Sequence, residues 1–199
     1  MLASLASHPD RQRWNSKYAV GEPTFEPHPL VRSAEAATFP EGPVLELAAG
    51  PSGSALALAA AGRHVTVVDV SDSGLNLLEN EARRRGVLPQ LQLVHADLLS
   101  YAPPERHFAL VLCTLYWDRS VFAGACAAVA PHGLLGWEAL SMEQPRVGTD
   151  LPSPWCLERD EPACLLPEDF EVIEQTAVAS EKHATNRMLA RRHARAELA

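Results

Sequence analysis

The sequence has few cysteines, no long apolar run and a shortage of basic residues. Its four cysteines form no C-x-x-C pair, so neither a zinc site nor a thioredoxin motif is expected, and no metal ligands are predicted. No apolar stretch approaches the roughly 20 residues that cross a bilayer. Residues 1–7 lack the basic start of a signal peptide. No membrane association is therefore expected, and the expected location is the cytoplasm.

The balance of charge narrows the class of partner. The chain has 17 basic and 25 acidic residues, which give a formal net charge of -8 at pH 7. Such a chain is poorly suited to non-specific binding of nucleic acid or of anionic membranes. A small molecule is the expected partner, and the oligomeric state stays open. With 199 residues, 47% of them hydrophobic, the chain is long enough for one α/β domain and short for two.

The most informative segment is an apolar strand that passes through a glycine turn into a helix. Residues 43–48 predict a buried strand, and Gly50 and Gly53 predict a tight turn. The alanine-rich residues after Gly53 predict a helix. Backbone amides at such a turn favour electron-rich ligand groups. Glu46, however, would repel a pyrophosphate and would favour a cationic ligand that carries hydroxyl groups. S-adenosylmethionine is such a ligand.

Two more acids follow the next two predicted strands. Asp69 ends the second strand, 19 residues after Gly50, close to the spacing of roughly 20 expected for an acid that holds ribose hydroxyls. Asp97 follows the third strand, where it would accept a hydrogen bond from the amine of adenine. The neighbouring Val70 and Leu98 are also predicted to line the site. Three acids at successive strand ends predict a nucleoside site.

These segments resemble the motifs of the class I S-adenosylmethionine-dependent methyltransferases. Within that class the chain is most similar to the small tellurite-resistance-type methyltransferases. The matching segments are 44–53, 65–70 and 95–98 for the class, and 13–18, 116–119 and 187–192 for the smaller group. The resemblance covers about residues 10–195 and implies S-adenosylmethionine as the cofactor.

The resemblance also implies the roles of single residues. Glu46 and Gly50 would line the methionine part, Asp69 would hold the ribose and Asp97 would face the adenine. Arg13 or Tyr18, from an N-terminal arm folded over the cofactor, would lie near its carboxylate. The remaining cofactor-binding positions are Ala48 and Cys113.

The glycine turn departs from the pattern of the class. Ala48 stands where a glycine is usual, Ser52 replaces the second glycine, and Pro51 removes one amide donor. A second hypothesis is therefore a non-catalytic interaction protein with a degenerate cofactor loop. A nicotinamide oxidoreductase is disfavoured because the chain lacks Gly-x-Gly-x-x-Gly and carries Glu46.

The segment after the fourth strand lies where a methyl acceptor is expected. Tyr116 would hydrogen-bond the acceptor, Asp118 would act as a weak base and Arg119 would attract an anion. Each has a structural alternative: packing for Tyr116, a helix cap for Asp118, and a solvated first turn for Arg119. The cap is favoured for Asp118. A soft nucleophile, such as a thiol or a metalloid oxyanion, requires no strong base.

The predicted fold is α/β, a doubly wound, mostly parallel seven-stranded sheet with an antiparallel edge hairpin, Rossmann-like as in class I methyltransferases. Residues 1–40 are predicted to form an arm, with one helix near 30–37, and residues 41–199 to form the methyltransferase domain. A helix over 120–129 is expected to be closed by residues 131–133. In the proline-rich segment 141–167, Trp155 and Cys156 line either the pocket or a surface loop.

Overall fold

The computed structural model describes residues 5–142, 155–158, 160–179 and 184–194. The helices in these ranges are α1 (Pro9–Val20), α2 (Pro29–Ala37), α3 (Gly53–Ala60), α4 (Asp72–Arg85) and α5 (Arg119–Ala128), with single 3-10 turns at Leu5–Ser7, Leu88–Gln90 and Ala163–Leu165. The strands are β1 (Val44–Leu47), β2 (Val65–Asp69), β3 (Leu91–His95), β4 (Phe108–Thr114), β5 (Val129–Leu140), β6 (Phe170–Ala179) and β7 (Ala184–Arg192).

The strands form one sheet in the order β3-β2-β1-β4-β5-β7-β6. The first five strands run parallel, and β7 pairs antiparallel with both β5 and β6. Because helices cover both faces of the sheet, β1 and β4 are buried on both sides and the core divides into two buried clusters. The predicted doubly wound sheet with an antiparallel edge hairpin is confirmed.

The ends of α4 follow the chemistry of their residues. The hydroxyl of Ser71 accepts a hydrogen bond from the backbone N–H of Gly74 at 3.0 Å, as an N-cap does. Gly86 closes the helix in the left-handed conformation, with φ 73°. Serine and glycine are the residue types favoured at these two helix positions.

Two boundary predictions are wrong. The arm contains α1 in addition to the predicted helix near 30–37. Residues 131–133 do not close α5, because β5 begins at Val129, immediately after the helix. Val129 pairs with Phe108 while Leu134 pairs with Leu110, so residues 130–133 bulge out of the ladder. A bulge tolerates proline because the extra residues need no ladder hydrogen bond.

Part of the proline-rich segment borders the end of β5. Residues 143–154 lie outside the described residues. Leu157 donates its backbone N–H to Leu140 at 2.7 Å and accepts from Met142 at 2.9 Å. This short ladder places Trp155 and Cys156 beside the carboxyl end of β5. None of the helices that the structure describes is long and apolar enough to cross a membrane.

Candidate functional site

Asp69 connects the loops that follow β1 and β2. Its Oδ2 accepts the backbone N–H of Gly50 at 2.7 Å, and its Oδ1 accepts that of Ser71 at 2.6 Å. The residue is only 6% exposed, and burial raises its pKa although both hydrogen bonds oppose the shift. Each carboxylate oxygen keeps a second lone pair. Asp69 is therefore held in a fixed orientation and can still accept hydroxyl protons.

Glu46 is buried beneath the glycine turn and is bonded to the residue that replaces a glycine. The hydroxyl of Ser52 donates to the Glu46 carboxylate, with oxygen separations of 2.7 and 2.8 Å, and accepts from the N–H of Ala55 at 3.0 Å. Burial first, and the charge of Asp69 in addition, raise the pKa of Glu46 to about 7. Ser52 thus caps α3 and binds the buried acid, which glycine cannot do.

The arm crosses directly over the glycine turn. Gly50 has a φ of 52°, and a Cβ added there would overlap the hydroxyl of Tyr18. A Cβ added at Gly53 would overlap the backbone carbonyls of Phe25 and Glu26. Glycine is required at both positions because another part of the chain occupies the space of a side chain.

Helix α1 is attached to the start of α4 by hydrogen bonds. Arg11 donates to one oxygen of Asp72 and the Asn15 amide donates to the other, each at 2.7 Å. The Ser71 hydroxyl donates to the Asn15 carbonyl at 2.6 Å. The bonds from Arg11 and Asn15 lower the pKa of Asp72 to about 2. Since α1 has no buried side chain, these polar contacts fix its position.

Two predicted arm residues lie on this helix. Tyr18 is half-buried, and burial together with the charge of Asp69 raises its pKa. Arg13 is exposed, and its guanidinium carbon lies 5.6 Å from the ring centre of Trp14 and 5.1 Å from that of Trp155. Both distances suit cation–π contacts. Arg13 therefore connects the arm to the segment after β5.

The third acid lies near the start of the arm helix. Asp97 Oδ1 accepts the backbone N–H of Leu99 at 3.1 Å, and Oδ2 lies 3.7 Å from Nε2 of His8. Leu98 is buried, and the half-buried Val70 offers its carbonyl oxygen to the ring of His95 at 3.0 Å. Asp97 is thus the one strand-end acid with an arm side chain beside its free oxygen.

The segment after β4 is where the acceptor is predicted to bind. Ala48, which follows β1, has a left-handed φ of 50°. Cys113, in β4, is fully buried, and its pKa is raised by burial and by the charges of Glu46 and Asp69. Tyr116 is half-buried, and burial raises its pKa, as do the neighbouring negative charges. These charges belong to Asp118, Asp97 and Asp10, with the Cys113 thiol a further contributor.

Asp118 and Arg119 are engaged in structural contacts. Asp118 Oδ1 accepts the backbone N–H groups of Ser120 and Val121, so the cap predicted for Asp118 is confirmed. Burial alone would raise the pKa of Asp118, but these hydrogen bonds outweigh it and the pKa lies below its usual value. Arg119 pairs with Glu161 at 2.7 Å and with Glu158 at 3.1 Å.

A polar cluster at the end of β5 was not predicted from the sequence. Glu138 is buried, and it accepts hydrogen bonds from Thr185 at 2.7 Å and from Arg187; His28 Nε2 lies 3.1 Å from it. Burial alone would raise the pKa of Glu138, but the bonds from His28, Arg187 and Thr185 hold it at about 2. The cluster ties the arm to β5 and β7. An acid in an apolar strand was its one visible signal.

The predicted cofactor residues are only partly brought together. Tyr18, Gly50, Glu46 and Asp69 form one cluster, whereas Asp97 lies with His8 and Arg13 with Trp155. A cavity of 310 Å³ opens between the arm and the glycine turn. None of the three strand-end acids is among its lining residues, which include Lys17, Tyr18, Phe25, Glu26, Pro51 and Gly53. The described residues contain no group of three or more His, Cys, Asp or Glu suited to a metal ion.

Comparison with known proteins identifies the domain. Residues 44–133 match the family described as "Methyltransferase domain". No curated protein sequence is significantly similar to the chain. Among solved structures, one from work on converting a disulfide bond into a thioacetal group in echinomycin biosynthesis shares 18% identity, with a TM-score of 0.68 and 94% of each chain covered.

Two further solved structures share the fold. TehB from Haemophilus influenzae is 17% identical, with a TM-score of 0.69 over 92% of this chain and 66% of that one. The glycopeptide N-methyltransferase MtfA, complexed with S-adenosylmethionine, is 20% identical, with a TM-score of 0.60 over 86% of this chain and 88% of that one. Residues 44–133 therefore match a methyltransferase domain by sequence, and the chain shares the fold of TehB and MtfA. The predicted resemblance to class I S-adenosylmethionine-dependent methyltransferases is confirmed.

Proposed function

We propose that this methyltransferase transfers the methyl group of S-adenosylmethionine to an uncharged nucleophile on a small molecule. The observation that carries the proposal is the orientation of Asp69, whose two oxygens accept the N–H groups of Gly50 and Ser71 beside a glycine turn. A carboxylate held in this way at the end of β2 suits the hydroxyls of a ribose. The matched methyltransferase domain supplies the reaction class.

The residues present fit the cofactor. The bare backbone at Gly50, the acid Asp69 and the apolar Leu98 offer the amide, carboxylate and apolar contacts that a nucleoside needs. Glu46 places a negative charge under the turn, where the cationic methionine end would lie. Arg13 remains the proposed partner of the methionine carboxylate, with Tyr18 covering the turn. When bound, the cofactor supplies a methyl group on a positively charged sulfur.

The charges around the proposed acceptor site disfavour an anion. Arg119, predicted to attract one, is paired with Glu161 and Glu158. The charges that act on Tyr116 are negative, and its raised pKa keeps the phenol protonated as a hydrogen-bond donor. An oxyanion would meet like charges here, whereas a neutral thiol would not.

Apolar side chains border the same edge. Leu115, Met142 and Trp155 are 60%, 49% and 42% exposed. They follow β4 and β5, at the edge where open α/β sheets bind their substrates. Large exposed apolar side chains at a predicted site favour a partner with an apolar body. We therefore propose a thiol on an apolar small molecule as the acceptor.

We further propose roles for the arm, for Tyr116 and for Asp118. Residues 1–40 would act as an arm over the cofactor site of one domain, residues 41–199. Tyr116 would face the acceptor, while Asp118 would retain one oxygen, Oδ2, beyond its cap contacts. A cytoplasmic location without nucleic-acid or membrane partners is proposed from the acidic composition.

Calorimetric titration with S-adenosylmethionine and S-adenosylhomocysteine tests the cofactor. We expect micromolar binding of both, and loss of most affinity in Asp69→Ala, because no other group replaces a bonded carboxylate. A folded protein that binds neither would sink the enzyme hypothesis and support the non-catalytic alternative.

Mass spectrometry tests the acceptor in a methyl-transfer screen of aryl and alkyl thiols beside selenite and tellurite. We expect methylated thiols and unreacted oxyanions. Arg119→Gln is the matched variant. If the Arg119 cation attracts the acceptor, this substitution should reduce methyl transfer. If Arg119 makes only structural contacts, methyl transfer should be unchanged. Methylation of the oxyanions that depends on Arg119 would contradict the proposed acceptor class.

A further inference from the structure

One leucine at the proposed acceptor site has a backbone conformation that leucine disfavours. Leu115 follows β4 and has a left-handed φ of 58°. In this conformation the Cβ atom comes close to the following carbonyl oxygen, so a bulky residue is strained where glycine or asparagine is tolerated. Residues in such strained conformations concentrate at functional sites. The presence of leucine at this position therefore calls for a physical reason.

Hydrogen bonds to β5 hold the strained conformation in place. The backbone N–H of Leu115 donates to the carbonyl oxygen of Glu138 at 2.7 Å. The indole N–H of Trp137 donates to the carbonyl oxygen of Tyr116 at 3.1 Å. Neither bond involves the side chain of Leu115, so glycine or asparagine at this position would allow both.

Packing in the core does not explain the leucine either. The side chain of Leu115 is 60% exposed, and it belongs neither to the two buried clusters nor to the residues packed against them. Trp117 fills the core beneath the loop, with its ring centre 5.4 Å from that of Phe122 and 6.0 Å from that of Trp137. The folded protein therefore carries backbone strain and exposed apolar surface at Leu115 without a gain in the core.

The next residue offers a polar group beside this apolar one. The ring of Tyr116 packs against the core cluster that contains Trp117, but its hydroxyl has no hydrogen-bond partner among the residues that the structure describes. A phenol can both donate and accept a hydrogen bond. Consecutive Cα atoms are about 3.8 Å apart. A ligand that contacts both side chains would therefore have its polar and apolar groups only a few bonds apart.

We propose that Leu115 is a specificity-determining residue, which contacts an apolar group on the carbon that bears the reacting thiol, while the Tyr116 hydroxyl binds the sulfur. This inference rests on the proposed function, because it concerns the acceptor of the same methyl transfer. It narrows the acceptor to alkyl and aryl thiols. A thiol with a polar group next to its sulfur, such as cysteine or 2-mercaptoethanol, would place that group against Leu115.

The experiment measures kcat/KM of the full chain for hexanethiol and for 2-mercaptoethanol, with S-adenosylmethionine at saturation. Wild type should prefer hexanethiol by about tenfold or more, because each buried CH₂ raises affinity about fourfold. Leu115→Asn should lower this preference about tenfold, because the apolar contact is lost. The same variant should raise the urea concentration at half-unfolding, because asparagine tolerates the left-handed conformation. Lost selectivity together with a gain in stability is the opposite of what the loss of a structural residue produces.

Two further variants separate the side chain from the backbone strain. Leu115→Met keeps an apolar side chain and the strain, so it should retain most of the preference and show no gain in stability. His132→Asn places the same new residue at another positive φ, 63°, in the bulge at the opposite end of β5. It should leave the preference and the turnover unchanged.

The outcomes distinguish the inference from the proposed function. If wild type binds no S-adenosylmethionine in calorimetry, or methylates no thiol, the proposed function is wrong and the inference falls with it. If wild type methylates both thiols equally well, or Leu115→Asn keeps the preference for hexanethiol, the methyl transfer stands and the role of Leu115 is refuted. A lower urea midpoint in Leu115→Asn would show that the leucine serves the fold, which would also overturn the inference.

Discussion

The pKa of Glu46 makes cofactor affinity depend on pH in a defined direction. This carboxyl is 3% exposed, and its pKa lies near 7 in the folded protein without ligand. Below that pH it is mostly protonated and offers no charge to a cationic ligand, so affinity should rise with pH. If only the ionised form binds well, the ionised fraction grows from about 3% at pH 5.5 to about 76% at pH 7.5. Affinity should therefore rise about 25-fold over this window.

The stability of the ligand-free protein should change in the opposite direction. The folded pKa of Glu46, about 7, exceeds the reference value of 4.5. Between pH 4.5 and 7 the folded state thus holds a proton on Glu46 that the unfolded state has released. The free energy of unfolding therefore falls as pH rises through this range, by about 3 kcal/mol in total. Burial also raises the pKa of Asp69, so the variant Glu46→Gln is needed to assign the two opposite trends to Glu46.

Calorimetry from pH 5.5 to 7.5 measures the affinity, and urea unfolding over pH 4.5–7.5 measures the stability. At pH 6, buffers of different ionisation enthalpy should reveal the release of about 0.9 proton on binding. Glu46→Gln should flatten both profiles. Asp69 is a second buried acid within range, so a Glu46→Gln profile as steep as that of wild type would refute the role of Glu46.

Four further substitutions, one of them a control, test the site and its supports. Gly53→Ala should displace the arm and abolish cofactor binding in calorimetry, while Gly124→Ala, with open space in α5, should raise the free energy of unfolding by up to about 1 kcal/mol; equal effects would contradict the close approach. Ala48→Gly should relax a left-handed alanine and stabilise the protein by about 0.5–1 kcal/mol in urea unfolding, because relieved strain exceeds the added chain entropy. The low pKa of Glu138 contributes about 3 kcal/mol to the free energy of unfolding above pH 4.5. This contribution is lost as the pH falls towards 2. Glu138→Gln should therefore lower stability at pH 7 and match wild type near pH 2, and a constant difference across this range would be inconsistent with the charge.

The parts that the sequence predicts are those with local causes. An apolar run that leads into a glycine turn indicates β1, a continuous apolar run indicates β4, and the acids Asp69 and Asp97 lie at or just after the ends of their strands. The helix cap at Asp118 also depends on the next few residues alone. Local patterns of this kind place the sheet, its order and the edge where ligands bind.

The parts that it does not predict depend on residues far apart in the chain. His28 and Glu138 meet only when the arm packs against β5. Asn15 binds Asp72, which lies 57 positions further along the chain. The bulge at 130–133 depends on the pairing of β5 with β4, because Pro131 cannot donate a ladder hydrogen bond. A lone histidine such as His8 carries no local signal of the acid that it will face.

Helix α1 responds to solution conditions unlike the rest of the domain. None of its side chains is fully buried, so its release exposes less apolar surface, and contributes less to the heat capacity of unfolding, than the release of a core helix would. Its attachment includes the ion pair of Arg11 and Asp72, whose side chains are 22% and 38% exposed and therefore subject to screening. Added salt should loosen the arm at concentrations that leave the sheet intact. Ionic strength, rather than temperature, is thus the variable that would regulate how fast a ligand beneath the arm enters and leaves.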